Sequence, residues 1–282
     1  MNNLLELKDV TKYYDGFTLD HVSFTLPSGC IMGFIGENGA GKSTTIKLIL
    51  DLIRCDEGEI SILGNKNRDE LIRLKEELGV VLDESCFPEI LNARSVGKMM
   101  KNIYKHWNTE EYERLIHQFS LPPEKKIKEY SRGMKTKLSI AVALSHNARL
   151  LIMDEATSGL DPVIRDEILD VFFEFIQDER NSIFLSSHII SDLEKVCDYI
   201  TLIHRGKILL CEQKDVLLEK YCVLKCSEDE LKSLDRTLVK GIRRNQFGVE
   251  ALVLRDRIPS SMVTDPASLE EIMLFLVKGR VR

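Results

Sequence analysis

No stretch of the 282-residue chain approaches eighteen consecutive apolar residues, so no membrane-spanning helix is expected. The start, MNNLLELKDV, has no basic run followed by an apolar core, which argues against a signal peptide and for a cytosolic chain. Positive charge is not in excess either. Lys and Arg number 39 against 45 Asp and Glu, a formal net charge of −6 that speaks against a protein built to grip nucleic acid. The basic runs Lys125-Lys126-Ile127-Lys128 and Arg243-Arg244 read as solvated faces. Seven cysteines (30, 55, 86, 197, 211, 222, 226) lack a complete zinc-ligand pattern and fit reduced, mostly buried thiols. Cys222 and Cys226, if on a strand, share one face and belong to a core. What remains is a 44% hydrophobic chain, long enough for one large α/β domain and a smaller one.

Chemistry concentrates in two places. The octet Gly36-Glu37-Asn38-Gly39-Ala40-Gly41-Lys42-Ser43 matches G-x-x-x-x-G-K-[ST]. It follows the apolar run Ile31 to Ile35 and precedes Thr44-Thr45-Ile46-Lys47-Leu48, so its context is strand, loop, helix. Glycines let backbone N–H groups curl around phosphates, and the helix N-terminus adds partial positive charge. Lys42 is placed to reach the β- and γ-phosphates and Ser43 to ligate magnesium. Alone, the octet could be a Gly-rich turn at a helix start. The second place, Tyr130 to Asp161, makes that reading untenable. There Ser131 and Gly133 open a helix, and the apolar strand Leu150 to Met153 ends in Asp154 and Glu155. A Ser158 to Asp161 turn follows. A strand that presents carboxylates at its carboxyl end is what a magnesium-nucleotide site requires.

Strand and helix signals alternate to about residue 212. Leu4 to Val10 and Val22 to Leu26 read as strands around Asp15-Gly16, followed by Glu59 to Leu63 and Gly79 to Leu82. About 86–145 reads as a helical insertion, with Thr109 a cap for TEEYERLIHQFS and Pro122-Pro123 a break. Pro162 opens a helix whose Ile164, Ile168, Val171, Phe172 and Phe175 share a face. Ile183 to Leu185 and Ile200 to Ile203 complete a mostly parallel sheet. From 213 to 282 a small α+β module is expected, with capping boxes at Ser227 and Ser268 and strands at Leu238 to Ile242 and Val249 to Leu254. Its final apolar run, Ile272 to Val277, reads as a core helix or a docking face, with core the favoured reading.

These motifs, over about residues 1 to 212, resemble the nucleotide-binding domains of ATP-binding cassette (ABC) proteins. The resemblance implies an α/β P-loop NTPase core: a mostly parallel sheet, an antiparallel β subdomain and a helical insertion. It makes Gly36 to Ser43 Walker A, Leu150 to Glu155 Walker B, Ser131-Arg132-Gly133-Met134 the signature loop, Ser158 to Asp161 the D-loop and His188 the switch histidine. Tyr14 takes the adenine-stacking place, with Tyr13 as the fallback. ATP and Mg2+ are the implied ligands, held by the loop from Gly36 through Thr44. Two such domains, as homodimer or paralogue heterodimer, would pair head to tail. Each ATP would lie between Walker A of one chain and Ser131 and Gly133 of the other, with Asp161 linking the sites. Asp154 and Ser43 would hold the metal, Glu155 would act as general base, and His188 would orient the attacking water beside Lys42.

Three positions depart from the family pattern. Asp83, followed by Glu84, stands where glutamine is usual; its carboxylate could still ligate the metal. Arg132 replaces a second glycine and Met134 a glutamine. Arg132 is read either as a cation at the dimer interface or as a solvent-facing side chain, and Lys135 and Lys137 as surface.

Within the family, one cassette without a span is similar to the motor of a transporter with a separate transmembrane permease, peripheral on the cytoplasmic membrane face. The YSRGMKTKL wording resembles ABC-2 type bacterial exporters, including those of peptides such as phenol-soluble modulins. An importer motor remains an alternative. Ribosome-acting relatives carry two cassettes, and DNA-repair relatives insert long coiled coils where in this chain Tyr130 lies only 88 positions after Lys42; both fit less well.

Overall fold

The computed structural model describes residues 3–66, 73–83, 87–246, 248–259 and 262–279. Glu84 and Cys86 therefore lie outside the described residues. The first strand, β1 (Asn3–Tyr14), buries Leu5, Leu7 and Val10. It turns at Asp15-Gly16 into β2 (Phe17–Pro27), pairing antiparallel from Tyr14↔Phe17 to Asn3↔Pro27. β3 (Ile31–Ile35) is buried at every residue, as a strand covered on both faces must be. It feeds α1 (Lys42–Ile49), and β4 (Glu57–Ile62) then returns to the other edge of β1, antiparallel. The three-stranded antiparallel sheet β2-β1-β4 is thus longer than the strand signals suggested, because β2 starts directly after the turn.

β5 (Leu78–Val81) leads into α2 (Ala93–Lys101), α3 (Thr109–Gln118) and α4 (Arg132–Leu144), the helical insertion. The chain re-enters the sheet at β6 (Leu150–Asp154), followed by α5 (Pro162–Phe175), β7 (Ser182–Ser186), α6 (Ile190–Val196) and β8 (Tyr199–His204). β9 (Lys207–Gln213) lies at the edge next to β8. The sheet order is β5-β6-β7-β3-β8-β9, and the four pairings from β5 through β8 are all parallel. Phe24, Phe34 and Phe184 pack at centroid separations of 5.2–5.6 Å, joining the antiparallel sheet to the parallel one. This is the α/β P-loop architecture with its antiparallel subdomain and helical insertion.

Two local expectations change. Asn108, not Thr109, caps α3: its side chain accepts from the Glu111 N–H, and Thr109 is the first helical residue. Either residue type can cap, and the extended backbone of Asn108 decides it. Lys137 is not on the surface. It is 7% exposed, because α4 packs between α3 and α5, and it pairs with Glu167 with its ammonium 5.6 Å from the Phe119 ring.

The chain divides into two compact units, residues up to Ile208 and residues from Leu209. The second contains α7 (Lys214–Lys220), β10 (Tyr221–Cys226), α8 (Glu228–Ser233), β11 (Val239–Asn245), β12 (Gly248–Leu254), β13 (Thr264–Pro266) and α9 (Leu269–Lys278). Its strands form an antiparallel sheet ordered β11-β12-β10-β13. Ser227 and Ser268 both make complete capping boxes, with Glu230 and Glu271. Cys222 and Cys226 both pack into this unit's core, though Cys226 only partly, and α9 buries Leu269, Ile272 and Phe275. Of the described cysteines, only Cys197 and Cys222 are fully buried, fewer than composition suggested.

Candidate nucleotide-binding site

β3 and β6 are separated by β7, and their carboxyl ends deliver the two halves of one cleft. After β3 the chain loops through Gly39 (φ +80°) to Gly41, which begins α1 at φ +115°. That left-handed backbone suits glycine alone, and it turns the loop's N–H groups toward the start of the helix. Lys42 is 6% exposed, and its Nζ donates to the Gly36 carbonyl at 2.7 Å. After β6, Glu155 adopts φ +52°, a costly backbone for a non-glycine residue, fixed by its N–H donating to Ser186 O at 3.0 Å. One Glu155 carboxylate oxygen lies 3.3 Å from Lys42 Nζ, and the other is bonded to His188 Nδ1.

The resulting cleft is about 600 Å³. Phe17, Glu37, Asn38, Gly39, Gly41, Lys42, Ser43, Thr44, Asp83, Glu155, Ser158 and His188 line it. A slightly larger hollow of about 720 Å³ between α2 and α3, walled by Trp107 and Tyr112, carries none of the motif residues. The cleft therefore brings together the phosphate loop, the carboxylate after β6 and the histidine after β7. Ser131, Gly133 and Asp161 do not line it. Ser131 caps α4 by accepting from Met134 N–H, Gly133 is buried against Ile164, and Asp161 caps α5 by accepting from Val163 and Ile164 N–H.

Asp154 carries the cleft's unmet electrostatic demand. Its Oδ1 is buried without a hydrogen-bond partner. Burial pushes its carboxyl above the usual carboxylate range, against the pull of the Ser43 and Ser186 hydroxyls beside it. A buried, under-satisfied carboxylate next to a serine hydroxyl fits a hard cation that takes few protein oxygens and keeps phosphate and water as its other ligands. Among the described residues, no cluster of three or more His, Cys, Asp or Glu could hold a metal ion.

The structure adds a contact to two of the positions singled out in the sequence. Tyr14 is exposed at the end of β1, with Lys12 Nζ 5.9 Å from its ring, while Phe17, its cross-strand partner, lines the cleft. The aromatic after the Asp15-Gly16 turn was the available signal for Phe17. Arg132 is about half exposed, and its Nη2 donates to Asp83 Oδ1 at 2.5 Å, a contact that neither reading of the sequence named.

This fold and cleft define a P-loop nucleoside triphosphatase. The family model for ABC transporters matches residues 19–158. The chain is 35% identical over 216 residues to a bacitracin transport ATP-binding protein of Bacillus licheniformis, covering 74% of this chain and 69% of that one. An ABC transporter ATP-binding protein of Bacillus subtilis, YcbN, is 31% identical over 306 residues, covering 99% of this chain and 98% of its own length. Among solved structures, an ATP-binding subunit of an ABC transporter superposes with a TM-score of 0.67 at 30% identity, over 75% of this chain and 90% of that one. The chain belongs to the ATP-binding subunits of ABC transporters, a family of ATPases. A further cassette, MJ0796, described as a dimer in a post-hydrolysis state bound to ADP and phosphate, shares the fold at 21% identity and a TM-score of 0.65. Among the described residues no helix is long and apolar enough to cross a membrane.

Proposed function

We propose that this chain is the ATP-hydrolysing motor of a bacterial exporter for peptides or other amphipathic compounds. It works as a head-to-tail pair beneath a separate transmembrane subunit, peripheral on the cytoplasmic membrane face. Relatives named for bacitracin transport support the cargo class. One observation carries the mechanism. The cleft gathers Lys42, Ser43, Glu155 and His188, yet Ser131 and Gly133, at the N-terminus of α4, line no part of it. A helix N-terminus with an exposed serine is suited to a phosphate, and a second chain would supply one.

In that arrangement the loop from Gly36 through Thr44, with Glu37, Asn38, Gly39, Ala40 and Gly41 between, wraps the phosphates, and Lys42 exchanges Glu155 for phosphate oxygens. Tyr14 stacks on adenine at the rim, beside Phe17. Glu155, released, takes a proton from the attacking water, and His188 holds that water and the γ-phosphate in register. Ser43 and Asp154 would hold magnesium, which would neutralise phosphate charge. Asp83, with one oxygen on Arg132, would be free to contact the metal only with that pair open. Ser131 and Gly133 cap the γ-phosphate of the other chain, and Asp161 links the two sites.

Light scattering of the Glu155→Gln chain with and without ATP tests the pairing. Dimer is expected with ATP, and the Ser131→Arg change is expected to leave monomer while retaining ATP binding. ATP-bound Glu155→Gln protein that stays monomeric at all concentrations contradicts the head-to-tail reading.

A further inference from the structure

Arg132 and Asp83 are 49 positions apart and each is unusual for its motif, yet they meet. Arg132 is the first residue of α4, immediately after the capping Ser131. Asp83 lies just beyond the carboxyl end of β5 and lines the nucleotide cleft with Lys42, Ser43 and Glu155. Arg132 Nη2 reaches across to Asp83 Oδ1 at 2.5 Å. The same guanidinium lies on Gly159, in the turn after β6: a Cβ there would stand 2.8 Å from Arg132 Nη1. A planar fork can bond a carboxylate along its edge while its body rests on a bare backbone, which an ammonium cannot copy. One side chain thus connects three segments around the cleft.

The charge balance gives this contact a consequence. Asp83 and Glu155 line the cleft, Asp154 lies beside the cleft-lining Ser43, and a triphosphate adds further negative charge. Glu155 is balanced by Lys42, and Asp83 by Arg132. Freed from its partner, the Asp83 carboxylate would repel a metal-free triphosphate and attract a metal-bound one.

We propose that Arg132 is a positioning residue that holds the Asp83 carboxylate off the triphosphate and its metal, making Asp83 a metal contact only when the pair opens. This rests on the magnesium-nucleotide reading of the cleft. Both side chains are about half exposed, 53% and 54%, so the expected effect is severalfold rather than orders of magnitude.

The test is the affinity of the full chain for a fluorescent ATP analogue, measured in EDTA and in saturating Mg2+, with no turnover required. For Arg132→Gln the ratio of magnesium to metal-free affinity is expected to rise by roughly two- to fivefold over wild type. Arg132→Lys, which keeps the charge, should fall between the two. In the Asp83→Asn background, adding Arg132→Gln should leave the ratio unchanged. An equal change in both backgrounds, or none in either, overturns the proposal. Wild-type protein that binds no analogue in either condition overturns the cleft reading itself, a separate outcome.

Discussion

The Glu155 carboxylate sits 3.3 Å from Lys42 Nζ, so the carboxylate proposed to activate water and the ammonium proposed to grip phosphate are partners in the same chain. His188 holds the other Glu155 oxygen. Both side chains that the phosphates need are therefore engaged with the carboxylate that the water needs. In the proposed mechanism, a nucleotide that draws both Lys42 and His188 to its phosphates would release both Glu155 oxygens, coupling substrate binding to the freeing of the base.

Removing Lys42 tests the binding side of that exchange. Charge-assisted contacts to phosphate are worth about 1.5–3 kcal/mol, so Lys42→Ala is expected to weaken ATP affinity by roughly ten- to a hundredfold. Titration with a fluorescent ATP analogue reads it. Affinity within twofold of wild type would remove Lys42 from the phosphate site.

Gly36 is held small by its surroundings. A Cβ on it would lie 2.6 Å from the Ile203 carbonyl oxygen, which is fixed in β8 and cannot yield as a side-chain tip could. Gly36→Ala is expected to destabilise the protein by about 1–3 kcal/mol, as overpacking does. Chemical denaturation measures it, and an unchanged midpoint would show that the loop relaxes freely.

His146 gives a pH signature. It is 1% exposed, its Nδ1 donates to the Glu76 carbonyl at 2.9 Å, and its ring stacks on Tyr104 at 3.9 Å. Burial holds its pKa below the ordinary 6.5, so it stays neutral in the fold. Below about pH 6.5 the unfolded chain takes up a proton that the folded chain refuses. Stability is therefore lost as pH falls through that window. His146→Gln is expected to flatten the slope of unfolding free energy against pH below about 6.5; a slope equal to wild type would contradict the buried neutral ring.

What the sequence made legible was what local chemistry dictates. Gly36 to Ser43 and Leu150 to Glu155 carry their function in consecutive residues, and the two capping boxes at Ser227 and Ser268 are complete within four. The contacts it hid are long-range. Nothing near Arg132 points to Asp83, because the helical insertion between them must fold before they can meet. Lys137 reads as surface on charge alone, and only the packing of α4 between two helices buries it. Phe17 was not singled out because the pairing of β1 with β2, which sets it opposite Tyr14 at the cleft, is itself a long-range feature.

The most direct test of the account is ATP hydrolysis by Glu155→Gln beside its ATP binding. A general base contributes about 10²–10⁴-fold, so turnover is expected to fall by at least that order while ATP affinity stays near wild type. Turnover close to wild type, with binding intact, would contradict the role assigned to Glu155 and the cleft mechanism with it.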